Sequence, residues 1–168
     1  MQSFLKKSSS ADDWIYGKPS MTMQQFHTHF QEEFDELYKL ADGTFNTYGM
    51  SLSTFLRKAR QFVSHLETHH TIEETYIFPI LAKKLAAFKP EAKHIEFHRQ
   101  IHEGLDRLTS LLDSVRAAPS SYSPTAFRET LDSFRTVLFA HLDQEVRDLS
   151  PDEFRKYFTI EEMAEIPM

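Results

Sequence analysis

Four stretches of the chain carry apolar residues at intervals of three and four, the spacing that places side chains on one face of a helix. The first pattern runs from Met23, and the second follows Ser51, which suits an N-cap position. The third begins at Pro90 and the fourth at the Ser123-Pro124 pair. The pattern therefore predicts an all-α fold, an up-down-up-down four-helix bundle.

Each predicted helix has an inward-facing row of residues. The rows are Met23, His27, Phe30, Phe34, Leu37 and Ala41; Phe55, Ala59, Phe62, Leu66, His69, Glu73, Tyr76 and Ile80; Ile95, His98, His102, Leu105, Leu108 and Leu112; and Leu131, Phe134, Leu138, His141, Glu145 and Leu149. The second pattern continues to about Ala87, with a kink expected at Pro79.

The first 20 residues lack this periodicity. They are rich in Ser, Lys and Asp and contain Gly17 and Pro19, so residues 1–20 are predicted to form an N-terminal arm or tail. Trp14 and Tyr16 are the residues expected to pin its end to the body.

Residues 21–168 are predicted to form the bundle together with a C-terminal extension. Ser150-Pro151 resembles a helix start, and the sequence from Thr159 to Glu162 resembles a capping box. Two short helices are therefore expected across one end of the bundle.

Polar residues interrupt all four inward rows at corresponding places. The set is His27, His69, Glu73, His98, His102, His141 and Glu145. Residues four apart lie one above the other on a helix, so each pair can aim two ligands at one point. Because a buried carboxylate without a partner is costly, two such residues in a core indicate bound cations. Seven ligands, two of them bridging carboxylates, suit two octahedral metal ions.

The register on the second helix has two solutions, because His70 and Glu74 are spaced like His69 and Glu73. The apolar phase favours His69 with Glu73. The remaining candidates are interpreted as neighbours of the site or exposed residues: His29, His65, His70 and His94. Of these, His65 could lie at the mouth of the site, one turn from His69.

Composition narrows the chemistry. The 168 residues include no cysteine, which excludes disulfides, zinc-thiolate sites, iron–sulfur clusters and thiol nucleophiles. Imidazole and carboxylate ligands favour iron or manganese, with zinc as a substitute in a purified sample. The net charge of -6 argues against nucleic acid or an anionic membrane as partner. With no long apolar run and no secretory signal pattern, a soluble cytoplasmic protein is expected.

The sequence resembles that of the hemerythrin-like, or HHE cation-binding, family. The segments "HHTIEETYIFP", "FHRQIHEGL" and "HLDQE" are similar to its second-, third- and fourth-helix motifs. The resemblance covers roughly residues 22–149. The C-terminal "RKYFTIEEMAEIPM" is similar to the tails of fungal members.

The resemblance implies a non-haem di-iron centre with an oxo or hydroxo bridge. It implies the following ligands: His27 and His69 for one iron; His98, His102 and His141 for the other; Glu73 and Glu145 as bridges. The four-residue spacing of His141 and Glu145 departs from oxygen-carrying hemerythrins, in which the last motif has a spacing of five. Ile77 would line the small-molecule side, and Tyr76 is a candidate hydrogen-bond donor, although core packing is the simpler interpretation of both.

Three functions fit these features. The first is a module that binds and reacts with O2, NO or peroxide. The second is a di-iron oxidase or oxygenase acting on a small organic substrate, in a cavity that could be lined by residues such as Phe30, Phe34, Phe62 and Phe134. The third is iron storage or sensing, or a helical interaction module with a structural metal. The sequence leaves the substrate, the catalytic residues and the oligomeric state open.

Overall fold

The computed structural model describes residues 10–168, which contain helices and turns and no strand. The helices are α1 (Ser10–Leu40), α2 (Leu52–Ile72), α3 (Phe78–Leu81), α4 (Lys93–Ala117), α5 (Pro124–Asp148), α6 (Pro151–Tyr157) and α7 (Ile160–Met163). None of these helices combines the length and the apolar character that crossing a membrane would require.

Helices α1, α2, α4 and α5 form an antiparallel four-helix bundle, as the sequence predicts. Polar contacts along their outer edges fix the neighbours. Arg60 of α2 pairs with Asp113 of α4 at 2.6 Å. On the other side, the hydroxyl of Tyr38 in α1 donates to Asp132 of α5 at 3.0 Å. The all-α bundle is thus confirmed.

The first helix begins at Ser10, earlier than the pattern predicts. Residues 10–20, expected to be part of an arm, are helical and continuous with the rest of α1, with Pro19 inside the helix. Tertiary contacts override the local signals, because the hydroxyl of Tyr16 donates to the carbonyl of Phe158 at 2.9 Å. Trp14, in contrast, is 60% exposed. The rest of the predicted arm, residues 1–9, lies outside the described residues.

The segment Glu73–Ile77 joins α2 to α3 as a π-helical turn. The amide of Phe78 donates to the carbonyl of Glu73, five residues back. Pro79 explains the wider turn, because it has no amide hydrogen and its ring crowds the carbonyl one turn before it. The kink expected at Pro79 therefore takes the form of a π turn just before it.

This π turn also moves the inward face by one residue. The row predicted after Glu73 continues through Tyr76 and Ile80, but the buried residues are Ile77, Phe78 and Leu81. Tyr76 is 62% exposed. A π turn contains one residue more than an α turn, and the expected 3.6-residue period cannot anticipate it.

The predicted second helix corresponds to α2, the π turn and α3 together, and it ends at Leu81, not near Ala87. Helix α4 starts at Lys93 with Ala92 as its N-cap, not at Pro90. The chain between α3 and α4 includes the 3₁₀ turn Ala86–Phe88. Its buried side chains, Leu85 and Phe88, follow Leu81 at helical spacing without being helical. Spacing alone could not distinguish the two conformations.

The later helix starts agree with the sequence. The Ser123 side chain accepts the amide hydrogen of Ala126 at the start of α5. Thr159 and Glu162 form the predicted capping box of α7. Helices α6 and α7 pack against the N-terminal part of α1, where Phe154 and Met163 are buried.

The buried apolar residues form two clusters. One includes Phe34, Phe62, Leu108 and Leu138 in the body of the bundle. The other, at the end covered by α6 and α7, includes Leu81 and Phe154. Helices α1, α4 and α5 contribute to both clusters, whereas α2 contributes to the first, and the π turn and α3 that follow it contribute to the second. Histidine or glutamate residues lie between the two clusters on each of these segments of the bundle. The polar residues therefore form a layer across the bundle, bounded by apolar packing on both sides.

Candidate metal centre

The polar layer contains two groups of potential metal ligands. The first group is His27, His69, Glu73 and Glu145; the second is His70, Glu73, His98 and His141. Within each group, one donor atom per residue lies within 4.8 Å of the others. Because Glu73 belongs to both groups, the two potential metal sites share a carboxylate.

In the first group, ring nitrogens from α1 and α2 converge on carboxylate oxygens. The Nε2 atoms of His27 and His69 are 3.3 Å apart. Nε2 of His69 lies 2.8 Å from Oε1 of Glu73, and Nε2 of His27 lies 3.4 Å from Oε2 of Glu145. All four side chains are at least nine-tenths buried.

In the second group, the donors come from α2, α4, α5 and the π turn. The Nε2 atoms of His98 and His141 are 3.2 Å apart. Nε2 of His98 lies 3.4 Å from Oε2 of Glu73. The His70 ring stacks on the His98 ring, with centroids 3.8 Å apart and planes inclined by 11°.

Both carboxylates have the geometry of bridges. Glu73 directs Oε1 toward His69 of the first group and Oε2 toward His98 of the second. Oε2 of Glu145 lies 3.4 Å from His27 and 3.6 Å from His141, and so also faces both groups. A carboxylate that faces two groups of donors can bridge two cations.

The unsatisfied atoms in this layer include carboxylate oxygens that cations would satisfy. All four carboxylate oxygens of Glu73 and Glu145 are buried and accept no hydrogen bond. Burial and the nearby Glu145 raise the pKa of Glu73 well above its ordinary value. Adjacent ligands at about 2.0–2.2 Å from an octahedral ion lie about 3 Å apart, close to the observed donor separations. The residues therefore fit a pair of bound metal ions.

Outer hydrogen bonds fix the orientation of two of the histidines. Nδ1 of His27 lies 2.8 Å from the carbonyl oxygen of Leu142. Nδ1 of His98 lies 2.6 Å from Oε1 of Glu74. Both partners accept hydrogen bonds, so Nδ1 carries the proton and Nε2 keeps the lone pair that a metal binds. Such outer partners orient ligands and increase their basicity.

Burial also keeps the histidines neutral. Desolvation lowers the pKa of His69 to about 4 and that of His98 to about 3. The pKa values of His70 and His141 are lowered well below the ordinary value for the same reason. Neutral imidazole is the form that coordinates metal, so these four rings need not lose a proton at neutral pH.

The structure brings together six of the seven residues that the sequence proposes as ligands; the exception is His102. This residue is partly buried, and its Nε2 lies 3.3 Å from Nδ1 of His70. The buried face of α4 instead passes through His94, His98 and Ile101. The predicted row shares His98, Leu105, Leu108 and Leu112 with this face, whereas Ile95 and His102 lie at its edge and are only partly buried.

His70 is the donor that the sequence interpretation left outside the site. It is completely buried, whereas His69 retains a small exposure. Adjacent helical residues point about 100° apart, so His69 faces α1 while His70 faces α4. The sequence feature that points to His70 is its four-residue spacing from Glu74, which repeats the spacing of His69 and Glu73. The ligand role of His102 stays a prediction.

The other candidates have different surroundings. His94 is buried and bonds through Nε2 to Asp148 at 2.9 Å. His29 and His65 are exposed and lie together at the surface, on either side of Glu33. Tyr76 is exposed, as noted above, so its hydroxyl is not directed into the polar layer.

A cavity of about 450 Å³ extends from the surface to the first donor group. His69 and Glu73 lie along it, and Phe30 and Ile77 are among its apolar lining residues. Ile77 thus lies where the sequence analysis expected it. Three other expected lining residues, Phe34, Phe62 and Phe134, are buried in the apolar core because they lie further along the bundle.

Comparison with known proteins gives two kinds of relative. A protein of Cryptosporiopsis sp. that is named for a biosynthesis cluster of dimeric xanthones is 33% identical over 95 residues, which cover 56% of this chain and 36% of that protein. Uncharacterized proteins of Mycobacterium bovis and Mycobacterium tuberculosis are 35% identical over 107 residues, covering 63% of this chain and 58% of theirs. The chain thus spans between about a third and three fifths of the length of these relatives.

No solved structure matches the chain. The family model for the hemerythrin HHE cation-binding domain matches residues 19–152, which include all of the buried donors described above. These residues make up most of the chain, and their histidines and glutamates provide two potential metal sites that share a carboxylate. The protein therefore belongs to the hemerythrin HHE cation-binding family.

Proposed function

We propose that this protein holds two iron ions in a carboxylate-bridged centre that binds and reacts with O2, or with NO or peroxide. The observation that carries the proposal is the position of Glu73, whose two oxygens face different groups of histidines. Ligands limited to nitrogen and oxygen favour iron over metals that prefer thiolate. An oxo or hydroxo bridge would complete the pair, and manganese or zinc could substitute.

The proposed ligands divide between the two ions. One ion would be held by His27 and His69, the other by His98 and His141 with either His70 or His102, and Glu73 and Glu145 would bridge them. When bound, the iron pair supplies the redox chemistry that takes up a small oxidant.

The protein's own residues orient and protect the centre. The Leu142 carbonyl and the Glu74 carboxylate hold His27 and His98 with Nε2 directed inward. On the side of the first group, Phe30 and Ile77 surround the donors with apolar surface. Apolar surroundings limit the access of water and strengthen electrostatic interactions within the site.

The cavity favours a second candidate, a di-iron oxidase or oxygenase with an organic substrate. Its volume falls in the range typical of small-molecule sites, and its walls are mainly apolar, which suits an aromatic or aliphatic molecule. His69 and Glu73 lie beside it, so such a molecule would approach the proposed centre directly. The relative named for a xanthone biosynthesis cluster supports an aromatic substrate, although this chain spans only 36% of that protein.

The first test is to load the metal-free protein with Fe(II) under anaerobic conditions, count the bound metal, and then add O2 while recording the optical spectrum. We expect two irons per chain and a spectral change that requires O2. Glu73→Gln should lose both. Failure of the wild type to bind iron, or two irons with no response to O2, NO or peroxide, would contradict the proposal.

Measurement of turnover then distinguishes the two candidate functions. A stable band that bleaches when O2 is removed indicates reversible binding, whereas consumption of O2 that accelerates with an aromatic compound indicates an oxygenase or oxidase. Ile72→Trp should narrow the cavity, since Ile72 lines it and is 46% exposed. This variant should slow turnover of the organic compound but not the reaction with O2 alone.

A further inference from the structure

A third group of potential metal ligands lies outside the buried layer. It consists of His29 and Glu33 on α1 and His65 on α2, whose donor atoms lie within 4.8 Å of one another. His29 and His65 also line the cavity that leads to His69 and Glu73. None of these three residues contributes to the centre described above.

The three side chains converge on one point at the surface. Oε1 of Glu33 lies 3.3 Å from Nδ1 of His65 and 3.6 Å from Nε2 of His29. The imidazoles are about half exposed, whereas the Glu33 side chain is only 17% exposed. The second oxygen of Glu33, Oε2, is buried and accepts no hydrogen bond. This carboxylate is therefore held at the surface with unused capacity to bind a cation.

These separations match those around a single metal ion. Tetrahedral zinc, with bonds of about 2.0–2.2 Å to nitrogen and oxygen, has ligands roughly 3.3–3.6 Å apart. Two histidines and one carboxylate form a recognised ligand set for divalent transition metals, with the remaining positions open to water. The exposure of both rings gives an ion direct access from solvent.

We infer that His29, Glu33 and His65 form a third metal site, at the mouth of the cavity, which binds a divalent transition-metal ion such as Zn²⁺ or Fe²⁺. The site is separate from the buried centre in both its ligands and its exposure.

The position of this site indicates what it does. His65, His69 and Glu73 follow one another at four-residue intervals, and each interval is about one helical turn. An ion leaving the surface site would meet His69 next, and then Glu73. The third site thus captures ions for delivery to the buried centre. This delivery role rests on the proposed two-iron centre, whereas binding at the surface does not.

Stoichiometry tests the site. Zn²⁺ is titrated into the metal-free full chain, and bound metal is counted in wild type, Glu33→Gln and Glu32→Gln. Glu32 is the matched control, because it is an exposed neighbour on the same helix. We expect three ions in wild type and Glu32→Gln and two in Glu33→Gln. If Glu33→Gln binds as many ions as wild type, the inference is overturned, whatever number of ions the buried centre holds.

The second variant, His65→Gln, changes an exposed side chain and should keep the helical circular dichroism of wild type. It should also bind two ions, and both variants should fill the buried centre at least several-fold more slowly with Fe(II). An unchanged loading rate in these variants would overturn the delivery role. Glu73→Gln changes the buried centre and leaves the three surface ligands in place. Failure of the proposed function is therefore distinguishable from failure of the third site.

Discussion

His70 and His98 stack face to face, with ring centroids 3.8 Å apart, although they belong to different helices. The same contact brings Nδ1 of His70 within 3.3 Å of Nε2 of His102. The second donor group thus contains the imidazoles of His70, His98 and His141, and the imidazole of His102 adjoins it. Since His70 is completely buried and His102 is partly exposed, the structure favours His70 as the third nitrogen donor there.

Substitution of these two histidines tests this preference. His70→Ala should reduce iron content from two ions per chain toward one, because it removes a donor from the second group. His102→Ala should retain two ions, with a smaller loss of affinity. Metal counting after equilibrium dialysis measures both, and the opposite ranking would favour His102, as the family resemblance implies.

Substitution of Glu73, the shared carboxylate, and of Glu74, its neighbour in the π turn, should have different effects on metal binding. Glu73→Gln should lower the occupancy of both sites, because Glu73 belongs to both groups. Glu74→Gln removes only the carboxylate that orients His98, so it should weaken metal binding about 10–100-fold without changing the stoichiometry. Competition with a chelator measures the affinities. Full occupancy of both sites in Glu73→Gln would exclude Glu73 as a bridge.

When metal is absent, Glu73→Gln should increase the stability of the folded protein. The raised pKa of Glu73 means that its buried carboxylate destabilises the folded metal-free protein at neutral pH. Removing the ionisable group should therefore stabilise the metal-free form by about 1–3 kcal/mol. Urea unfolding of chelator-treated wild type and variant measures the difference. A metal-free variant less stable than wild type would contradict this account of the site.

The metal-free protein should lose stability as the pH falls from 7 to 5. In the folded state the pKa of His69 is about 4 and that of His98 about 3, so both remain neutral while the unfolded chain takes up protons below its pKa of about 6.5. Each histidine then costs about 2 kcal/mol over this interval. His70 and His141 act in the same direction.

Glu73 acts in the opposite direction, because its folded pKa is raised and protonation favours the folded state as the pH falls. Four histidines oppose this one carboxyl group, so the net change is a loss. Unfolding in urea at pH 7 and pH 5 measures it, and the loss should be larger in Glu73→Gln. Equal stability at the two pH values would mean that the histidines are not buried as neutral rings.

Gly104 permits the close approach of α4 and α5. A Cβ atom at this position would lie 2.4 Å from Cγ of Phe134, which is itself buried. Gly104→Ala should therefore destabilise the protein by about 1–3 kcal/mol, despite alanine's higher helix propensity. Gly17→Ala is the control, since its nearest neighbours would be 3.9 Å away. Thermal unfolding should rank Gly17→Ala at or above wild type and Gly104→Ala below it.

The sequence by itself determined the four-helix architecture, because amphipathic spacing and capping residues act locally. On α1 and α5 it also identified the buried positions correctly, including His27, His141 and Glu145. These helices have no irregular turn through the polar layer, so the period of 3.6 residues holds along their length.

Only the tertiary structure decided the details around α2 and α4. The π turn before Pro79 shifts the inward face by one residue and exposes Tyr76. A helix between two neighbours presents two buried faces, so adjacent His69 and His70 can both point inward, toward different partners. Burial depends on what packs against each face, and a pattern within one helix carries no information about its neighbours.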